Sequence, residues 1–301
     1  MKETLLVLDS VRSKREDTVF TAKRALALSF ALILALSIAV VGCAKELSAQ
    51  EIIDKTLAAS ASAEVFNFDT DMTMSLEVTG GTDPGKMNML TDMSGYADSK
   101  NKELQMTMNM NLDVLGELSQ NISADMYMVD DWVYMKLDML GIGEQWVKTK
   151  LSEEQWEQQN QFAQQVDFLK TAAEITLAGS EKVDDVDSYV LEVKPDMQML
   201  TDWFLAMQQQ QPGVDLSQID LAKMFKTVSI KEWIDKKSFL PVKAEVVLGL
   251  EVLPEDIEAT PEDFEKMTLS LEVDMKFHDF GTRTRVELPQ EALNAQELPA
   301  E

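Results

Sequence analysis

The stretch FNFDTDMTMSLEV, residues 66–78, decides the fold that this sequence predicts. Its even positions carry Phe, Met, Leu and Val with one Thr, whereas its odd positions carry Asn, Asp, Thr, Ser and Glu. Successive side chains of a β-strand point to opposite sides, so this period of two predicts one long strand with an apolar and a polar face. The run GGTDPG, residues 80–85, follows directly and indicates a turn.

The same alternation recurs along most of the chain. Amphipathic strands joined by short turns predict an antiparallel meander in which one face is covered and the other meets water. Further strands are expected at residues 87–93, 104–112, 122–128, 132–137, 145–150, 175–183, 188–194, 227–235, 241–251 and 266–280.

Helices are predicted where the period changes to that of a helix. Ser48 is a candidate N-cap, because Glu51 follows three residues later in the pattern of a capping box. Two long amphipathic helices are expected at residues 152–173 and 196–210, with a shorter one near residues 216–225.

A sheet with one continuous apolar face must cover that face, because each exposed Å² costs roughly 25 cal/mol. A second sheet, a closed barrel or a layer of helices would cover it, and the helices favour the third solution. We therefore predict an α+β fold, a strongly curved antiparallel sheet of about ten to eleven strands with helices on its concave apolar face, forming a half-open β-barrel. One domain is expected at residues 48–287, followed by a disordered tail at residues 288–301.

The N-terminal segment predicts export. Lys23 and Arg24 precede an apolar run, residues 25–41, that is interrupted only by two serines. A helix of this length spans roughly 25 Å, which is short for a membrane span and typical of a signal peptide. The run ends in VVGC, residues 40–43, which resembles the lipobox of bacterial lipoproteins. That resemblance implies cleavage before Cys43 and a diacylglycerol on its thiol.

Residues 1–42 are accordingly predicted to be a lipoprotein signal peptide, and residues 43–47 a lipidated tether. The alternative is an uncleaved anchor helix. Because the segment before Lys23 is long and mixed in charge, Val19 is a second candidate for the true start. Whether the segment is cleaved or stays as an anchor helix, the domain is expected outside the cytoplasm. It would be anchored to the outer face of the cytoplasmic membrane or, in a two-membrane envelope, to the outer membrane.

The charge of the chain argues against several classes of partner. The formal net charge is −26, and removal of residues 1–42, with six basic and four acidic side chains, would make it −28. Such a surface argues against nucleic acid and against docking on anionic lipid headgroups. Cys43 is the only cysteine, so no disulfide framework is available. We expect a monomer with no cofactor.

The methionines mark a candidate ligand site. Twelve of the nineteen lie between Met72 and Met139, nearly all on apolar strand positions. Strands in cores ordinarily use Val, Ile and Phe, whereas Met is flexible and adapts to ligands of irregular shape. We predict a cavity for lipid acyl chains that is lined by Phe68, Met72, Met74, Leu76, Met87, Met89, Met106, Met108, Met110, Met126, Met128, Val246, Leu248, Leu269, Leu271 and Val273.

Two alternatives to a lipid cavity stay open at this point. The methionines would also suit a filled core, in a binding or scaffold lipoprotein that acts through its outer surface. The Met-x-Met patterns would place thioethers on one face, as a Cu(I) chaperone requires. No second cysteine or histidine cluster supplements those thioethers, so no metal site is predicted.

Few residues suit catalysis. His278 is the only histidine and lies at a polar strand position, which is typical of a solvated surface residue. Its single imidazole and the absence of a free thiol argue against triad and cysteine chemistry. The acidic run at residues 184–187 lacks the spacing and Gly of an EF-hand and is read as a solvated turn. We do not expect an enzyme.

Three segments resemble a known superfamily. They are residues 48–57, residues 177–193, and above all residues 233–243, WIDKKSFLPVK. The segments are similar to those of LolA-like proteins and of the LppX/LprG lipid carriers. This resemblance implies a half-open β-barrel closed by helices, with an apolar cavity for lipid or for the acyl chains of lipoproteins. The expected partners are therefore lipid or an acylated protein, together with the membrane that holds Cys43.

Overall fold

A computed structural model describes residues 47–82, 84–114, 118–139, 143–152, 156, 169–170, 172–198, 200–201, 221–257, 259–260 and 262–298. The chain divides into two units, Met1–Leu47 and Ser48–Glu301, and nearly all described residues belong to the second. The predicted signal peptide and Cys43 lie outside the described residues.

Twelve strands of the described chain form one sheet. The bounds are β1 Val65–Thr79, β2 Gly85–Asp98, β3 Glu103–Val114, β4 Leu118–Val129, β5 Trp132–Met139, β6 Gly143–Lys150, β7 Glu174–Val183, β8 Val186–Lys194, β9 Phe225–Asp235, β10 Pro241–Val252, β11 Lys266–His278 and β12 Gln296–Glu297. Their order across the sheet is β12-β6-β5-β4-β3-β2-β1-β11-β10-β9-β8-β7.

The sheet is an open, curled antiparallel meander, and this confirms the predicted fold class. β1 lies in the middle of the sheet and pairs with β2 on one side and with β11 on the other. Every pairing is antiparallel except that of β12 with β6. Antiparallel neighbours need only short turns, which explains why sequential strands pair so regularly along the chain.

Two hairpins turn on pairs of aspartates. Asp130 and Asp131 join β4 to β5 with φ angles of 53° and 62°, and Asp184 and Asp185 join β7 to β8 with 44° and 70°. Two successive positive φ angles match the twist of the flanking strands, and Asp tolerates this region better than most residues. The predicted turn is thus confirmed at Asp184 and Asp185, whereas Val186 and Asp187 of the predicted turn already belong to β8.

The residues of the WIDKKSFLPVK segment form a turn organised by Asp235. Its carboxylate accepts hydrogen bonds from the backbone N–H groups of Lys237 (3.0 Å) and Ser238 (3.1 Å), and from the Ser238 hydroxyl. Burial opposes ionisation of Asp235, but these hydrogen bonds outweigh it and lower the pKa of the carboxyl. The turn places Phe239 at a φ of 60°, a conformation that a bulky residue adopts only where its surroundings fix it.

Two short helices are described in full, α1 at Ala49–Ser60 and α2 at Leu221–Met224. The predicted capping box of α1 is confirmed, because Ser48 Oγ accepts from the N–H of Glu51 and the Glu51 carboxylate accepts from the N–H of Ser48. The predicted helices at residues 152–173 and 196–210 lie largely outside the described residues.

The chain after residue 288 is structured, so the predicted disordered tail is wrong for residues 288–298. Residues 292–294 form a 3₁₀ turn in which Ala292 is completely buried, and β12 pairs with the edge strand β6. Val286, which precedes the tail, packs against Val65 and Tyr96. The sequence shows no apolar run here, but small buried side chains and the backbone groups of an open strand edge supply the contacts.

Candidate functional site

All sixteen candidate lining residues lie on one face of the sheet, which we call the apolar face. The register of the strands establishes this, because directly paired residues share a face. Met72, for example, pairs with Val273 in β11, which pairs with Val246 in β10. Met106 pairs likewise with Met126 in β4. The opposite side, which carries Asp69 and Asp71, is called the polar face.

One end of the apolar face is filled by its own side chains. This aromatic end comprises Phe66, Phe68, Ala97 and Phe277, all buried and in mutual contact. The ring centroid of Phe66 lies 6.4 Å from that of Phe68 and 6.0 Å from that of Phe277. Leu57 of α1 packs on the same cluster, so α1 covers this end.

The middle of the apolar face differs, because its side chains are only half-buried. We call this part the methionine region; it comprises Met72, Met74, Met89, Met93, Met108 and Met110. Cross-strand pairs join them, since Met74 faces Met89 and Met93 faces Met108. The neighbouring candidates Leu76, Met87, Leu269, Leu271 and Val273 are also half-buried, whereas Leu248 is buried.

Single residues of the mid-chain segments also contact the apolar face. Trp156 is buried against Leu104, Met128 and Val133. Leu169 is buried against Val193 and Ile230 on the other half of the sheet. These contacts agree with the prediction that segments between β6 and β9 cover this face.

Three polar residues on the apolar face were missed at the sequence level. Thr70 and Thr91 are 4% and 2% exposed, and Glu232 is 1% exposed. Thr91 pairs with Met72 and Met110, and its hydroxyl has no hydrogen-bond partner among the residues that the structure describes. The signal was available in the sequence, because Thr91 interrupts the apolar positions of β2 between Met89 and Met93.

Charged side chains gather on the polar face instead. Asp71 pairs with Asp92 on one side and with Asp274 on the other. Burial, together with the hydrogen bond and the charge of Asp92, raises the pKa of Asp71, and Asp274 and Asp69 add to the rise. The sheet thus separates these four carboxyl groups from the methionine region.

His278 belongs to a polar network on the surface. Its Nε2 lies 3.1 Å from a carboxylate oxygen of Asp69, and its Nδ1 lies 2.8 Å from one of Asp279. The hydrogen bonds of Asp279 with His278 and Asn67 lower the pKa of that carboxyl. The ring is 44% exposed and lies away from the apolar face. Its partners are consistent with a structural role at the end of β11.

Within the ranges given above, no three His, Cys, Asp or Glu side chains gather in an arrangement that would hold a metal ion. In the same part of the chain, no helix is long and apolar enough to cross a membrane.

Solved structures that match the chain include LppX and a LolA superfamily protein. LprF from Mycobacterium bovis is 11% identical, with 81% of this chain and 96% of that chain covered, at a TM-score of 0.41. The lipoprotein LppX from Mycobacterium tuberculosis is 10% identical, with 78% and 96% covered, at 0.35. A LolA superfamily protein from Nitrosomonas europaea is 16% identical, with 81% and 96% covered, at 0.20. Proteins of the resembled superfamily are thus among the matches, and at these identities the likeness concerns the fold alone.

A comparison with curated protein sequences gives no match. A family profile, by contrast, matches residues 48–297, which include all twelve strands from β1 to β12 and nearly all of the structured tail. The chain belongs to DUF6612, a family of unknown function.

Proposed function

We propose that this protein is an extracytoplasmic lipoprotein that binds lipid acyl chains on its apolar face. The observation that carries the proposal is the methionine region, a group of six half-buried thioether side chains on one face of three central strands. Fully packed cores leave few such side chains accessible, and apolar surface that is left to water is unfavourable at roughly 25 cal/mol per Å². An acyl chain would remove that surface from water.

The chemistry of the region suits a lipid tail better than a compact, rigid ligand. Met has three rotatable side-chain bonds and a polarisable sulfur, so its side chains adjust to a chain that is itself flexible. The acidic residues of β1 and β2 are on the polar face, where they do not meet the hydrocarbon. Lipid, alone or as the acyl group of another protein, is therefore the proposed partner.

Cys43 would supply the membrane tether of this lipid-binding domain. The lipobox-like sequence before Cys43 supports its lipidation. Only four residues separate Cys43 from Ser48, the N-cap of α1. A short tether would keep the apolar face close to the membrane from which lipid is taken or to which it is given. Metabolic labelling with a palmitate analogue tests this: wild type is expected to be labelled and Cys43→Ser unlabelled. An unlabelled wild-type protein would contradict the tether.

The lipid-binding proposal is tested with the soluble domain, residues 48–301. Native mass spectrometry of the purified domain should reveal bound lipid, and a fluorescent fatty acid should be taken up. Met108→Glu places a charge on the apolar face and is expected to abolish uptake, because burying an uncompensated carboxylate is strongly unfavourable. Asn109→Glu is the matched control, since Asn109 is the next residue, exposed on the polar face.

Normal uptake by Met108→Glu would show that the site lies elsewhere. A domain that carries no lipid and takes up no fatty acid would favour the alternative, a scaffold lipoprotein whose apolar face is a filled core. The folding of both variants is checked by circular dichroism, so that loss of structure is not mistaken for loss of the site.

Copper is the second candidate ligand, and the cross-strand pairs are what favours it. Met106 pairs with Met126, and Met126 pairs with Met135, which places three thioethers in adjacent strands on one face. Thioether clusters of this kind suit Cu(I). Titration against a Cu(I) chelator decides the matter: withdrawal of Cu(I) by wild type but not by Met126→Leu would support copper, and no withdrawal would exclude it.

A further inference from the structure

Thr91 lies at the centre of the methionine region and can form a strong hydrogen bond. Its side chain is 2% exposed, and within the described part of the chain its hydroxyl has no partner. Met72 and Met110 face it from the neighbouring strands, and Met89 and Met93 lie two positions away along β2. Thioether sulfur is only a weak acceptor, so these four neighbours cannot satisfy the hydroxyl.

A hydroxyl in this position is unfavourable for the protein alone. A buried polar group without a partner loses its hydrogen bonds to water and gains nothing in return. Valine has nearly the same shape and is at least as suitable in a strand, so packing alone does not explain a Thr here. A bound molecule that offers an acceptor to this hydroxyl would remove the penalty.

The surroundings define the chemistry of that acceptor. It must be uncharged, because four thioethers cannot compensate a buried charge. It must also be attached directly to hydrocarbon, because the rest of the region is apolar. The carbonyl at the root of an ester-linked acyl chain meets both conditions.

Building on the proposed function, we infer that Thr91 selects ester-linked lipids by donating a hydrogen bond from its Oγ to the ester carbonyl of an acyl chain on the apolar face. Thr91 is then a specificity-determining residue, and the methionines around it hold the hydrocarbon that follows the carbonyl. The position fixes the depth at which the lipid lies, with its ester at the level of the Met72–Thr91–Met110 row.

The test compares two lipids that differ only in the linkage. Dioleoyl phosphatidylcholine and its ether analogue with the same chains are offered separately to the domain, and bound lipid is measured by native mass spectrometry. A zwitterionic headgroup is chosen because the chain is strongly acidic. Wild type is expected to bind the ester roughly tenfold more tightly than the ether, as for one buried hydrogen bond.

Thr91→Val is expected to lose this preference by binding the ester more weakly while binding the ether as before. Thr91→Ser keeps the hydroxyl and should keep the preference. Thr73→Val is the matched control, because Thr73 is an exposed residue on the polar face of β1.

Two results would overturn the inference while leaving the proposed function intact: equal binding of ester and ether by wild type, or a Thr91→Val protein with an unchanged preference. A Thr91→Val protein that loses both lipids in proportion would also overturn it, because packing and not the hydrogen bond would then be responsible. If wild type binds neither lipid, the proposed function fails together with the inference.

Discussion

The aromatic end and the methionine region lie on the same face of the same strands, yet they are packed differently. Phe66, Phe68 and Phe277 are buried in mutual contact and covered by α1. Met72 and Met74, which follow Phe68 along β1 by four and six residues, are only half-buried. Alternation in sequence therefore decides which face a residue occupies, but not whether its surroundings fill the space beside it.

The difference shows where stability and binding are separated in this sheet. Rigid aromatic rings in mutual contact supply a fixed core, whereas flexible, half-buried side chains can rearrange around a ligand. The comparison predicts that substitutions at the aromatic end change stability, and that substitutions in the methionine region change binding.

The largest expected effect comes from removing a ring at the aromatic end. Phe68→Ala is expected to lower the free energy of unfolding by roughly 3–5 kcal/mol, because the cluster around it cannot collapse into the cavity. Met74→Ala removes a half-buried side chain and is expected to lower it by about 1 kcal/mol. Urea unfolding of both variants measures the difference. Equal losses would mean that the methionine region is as fully packed as the aromatic end.

A clash at the aromatic end is expected to have the next largest effect. A Cβ on Gly95 would lie 2.5 Å from the Phe68 ring and 2.6 Å from the carbonyl oxygen of Gln105. The backbone oxygen cannot rotate away, so Gly95→Ala is expected to lower the unfolding free energy by roughly 1–3 kcal/mol.

Gly249→Ala is the matched control for this clash. A Cβ at Gly249 would lie no nearer than 3.3 Å to Thr227, and a smaller loss is expected. Thermal unfolding of both proteins in parallel would reveal the difference, and a Gly95→Ala protein as stable as wild type would show that both the Phe68 ring and the backbone at Gln105 can shift.

Most of the fold could be predicted from the sequence because the alternation in β1, β2, β3, β10 and β11 is nearly unbroken. The capping box at Ser48 and the acidic turns were equally clear, since each depends on neighbouring residues. The structured tail could not be predicted. Its strand β12 pairs with β6, and contacts so distant in sequence leave no local pattern.

The sequence predicts which face of the sheet carries the candidate site, but not how deeply each of its side chains is buried. Parity along the strands identifies every residue of the apolar face, yet the burial of Phe68 and the half-burial of Met74 depend on what packs above them. Thr91 was overlooked because one Thr among methionines looks like an ordinary strand residue. Its importance follows only from its burial and its unpaired hydroxyl.

A smaller effect is expected from stiffening the methionine region without emptying it. The double variant Met74→Leu/Met108→Leu conserves volume, so its unfolding free energy should change by less than about 1.5 kcal/mol. Leu has fewer rotatable bonds, and uptake of branched acyl chains should fall relative to straight ones. Met224→Leu, at a buried position outside the candidate lining residues, is the control and should leave this ratio unchanged. An unchanged ratio in the double variant would show that Met flexibility is not used.

The smallest expected effect comes from the polar face directly behind the methionine region. Burial and the neighbouring Asp92 raise the pKa of Asp71 above its ordinary 3.8, so ionisation of Asp71 opposes folding as the pH rises through that pKa. Asp71→Asn should therefore raise the neutral-pH unfolding free energy by roughly a few tenths of a kcal/mol, a modest gain because the carboxyl is mostly solvated. The gain should disappear below pH 3.8, where Asp71 is protonated in both the folded and the unfolded state. Fatty-acid uptake should not change, because Asp71 points away from the apolar face. Reduced uptake by Asp71→Asn would mean that the two faces of β1 are not independent, and that a substitution on the polar face changes binding as well as stability.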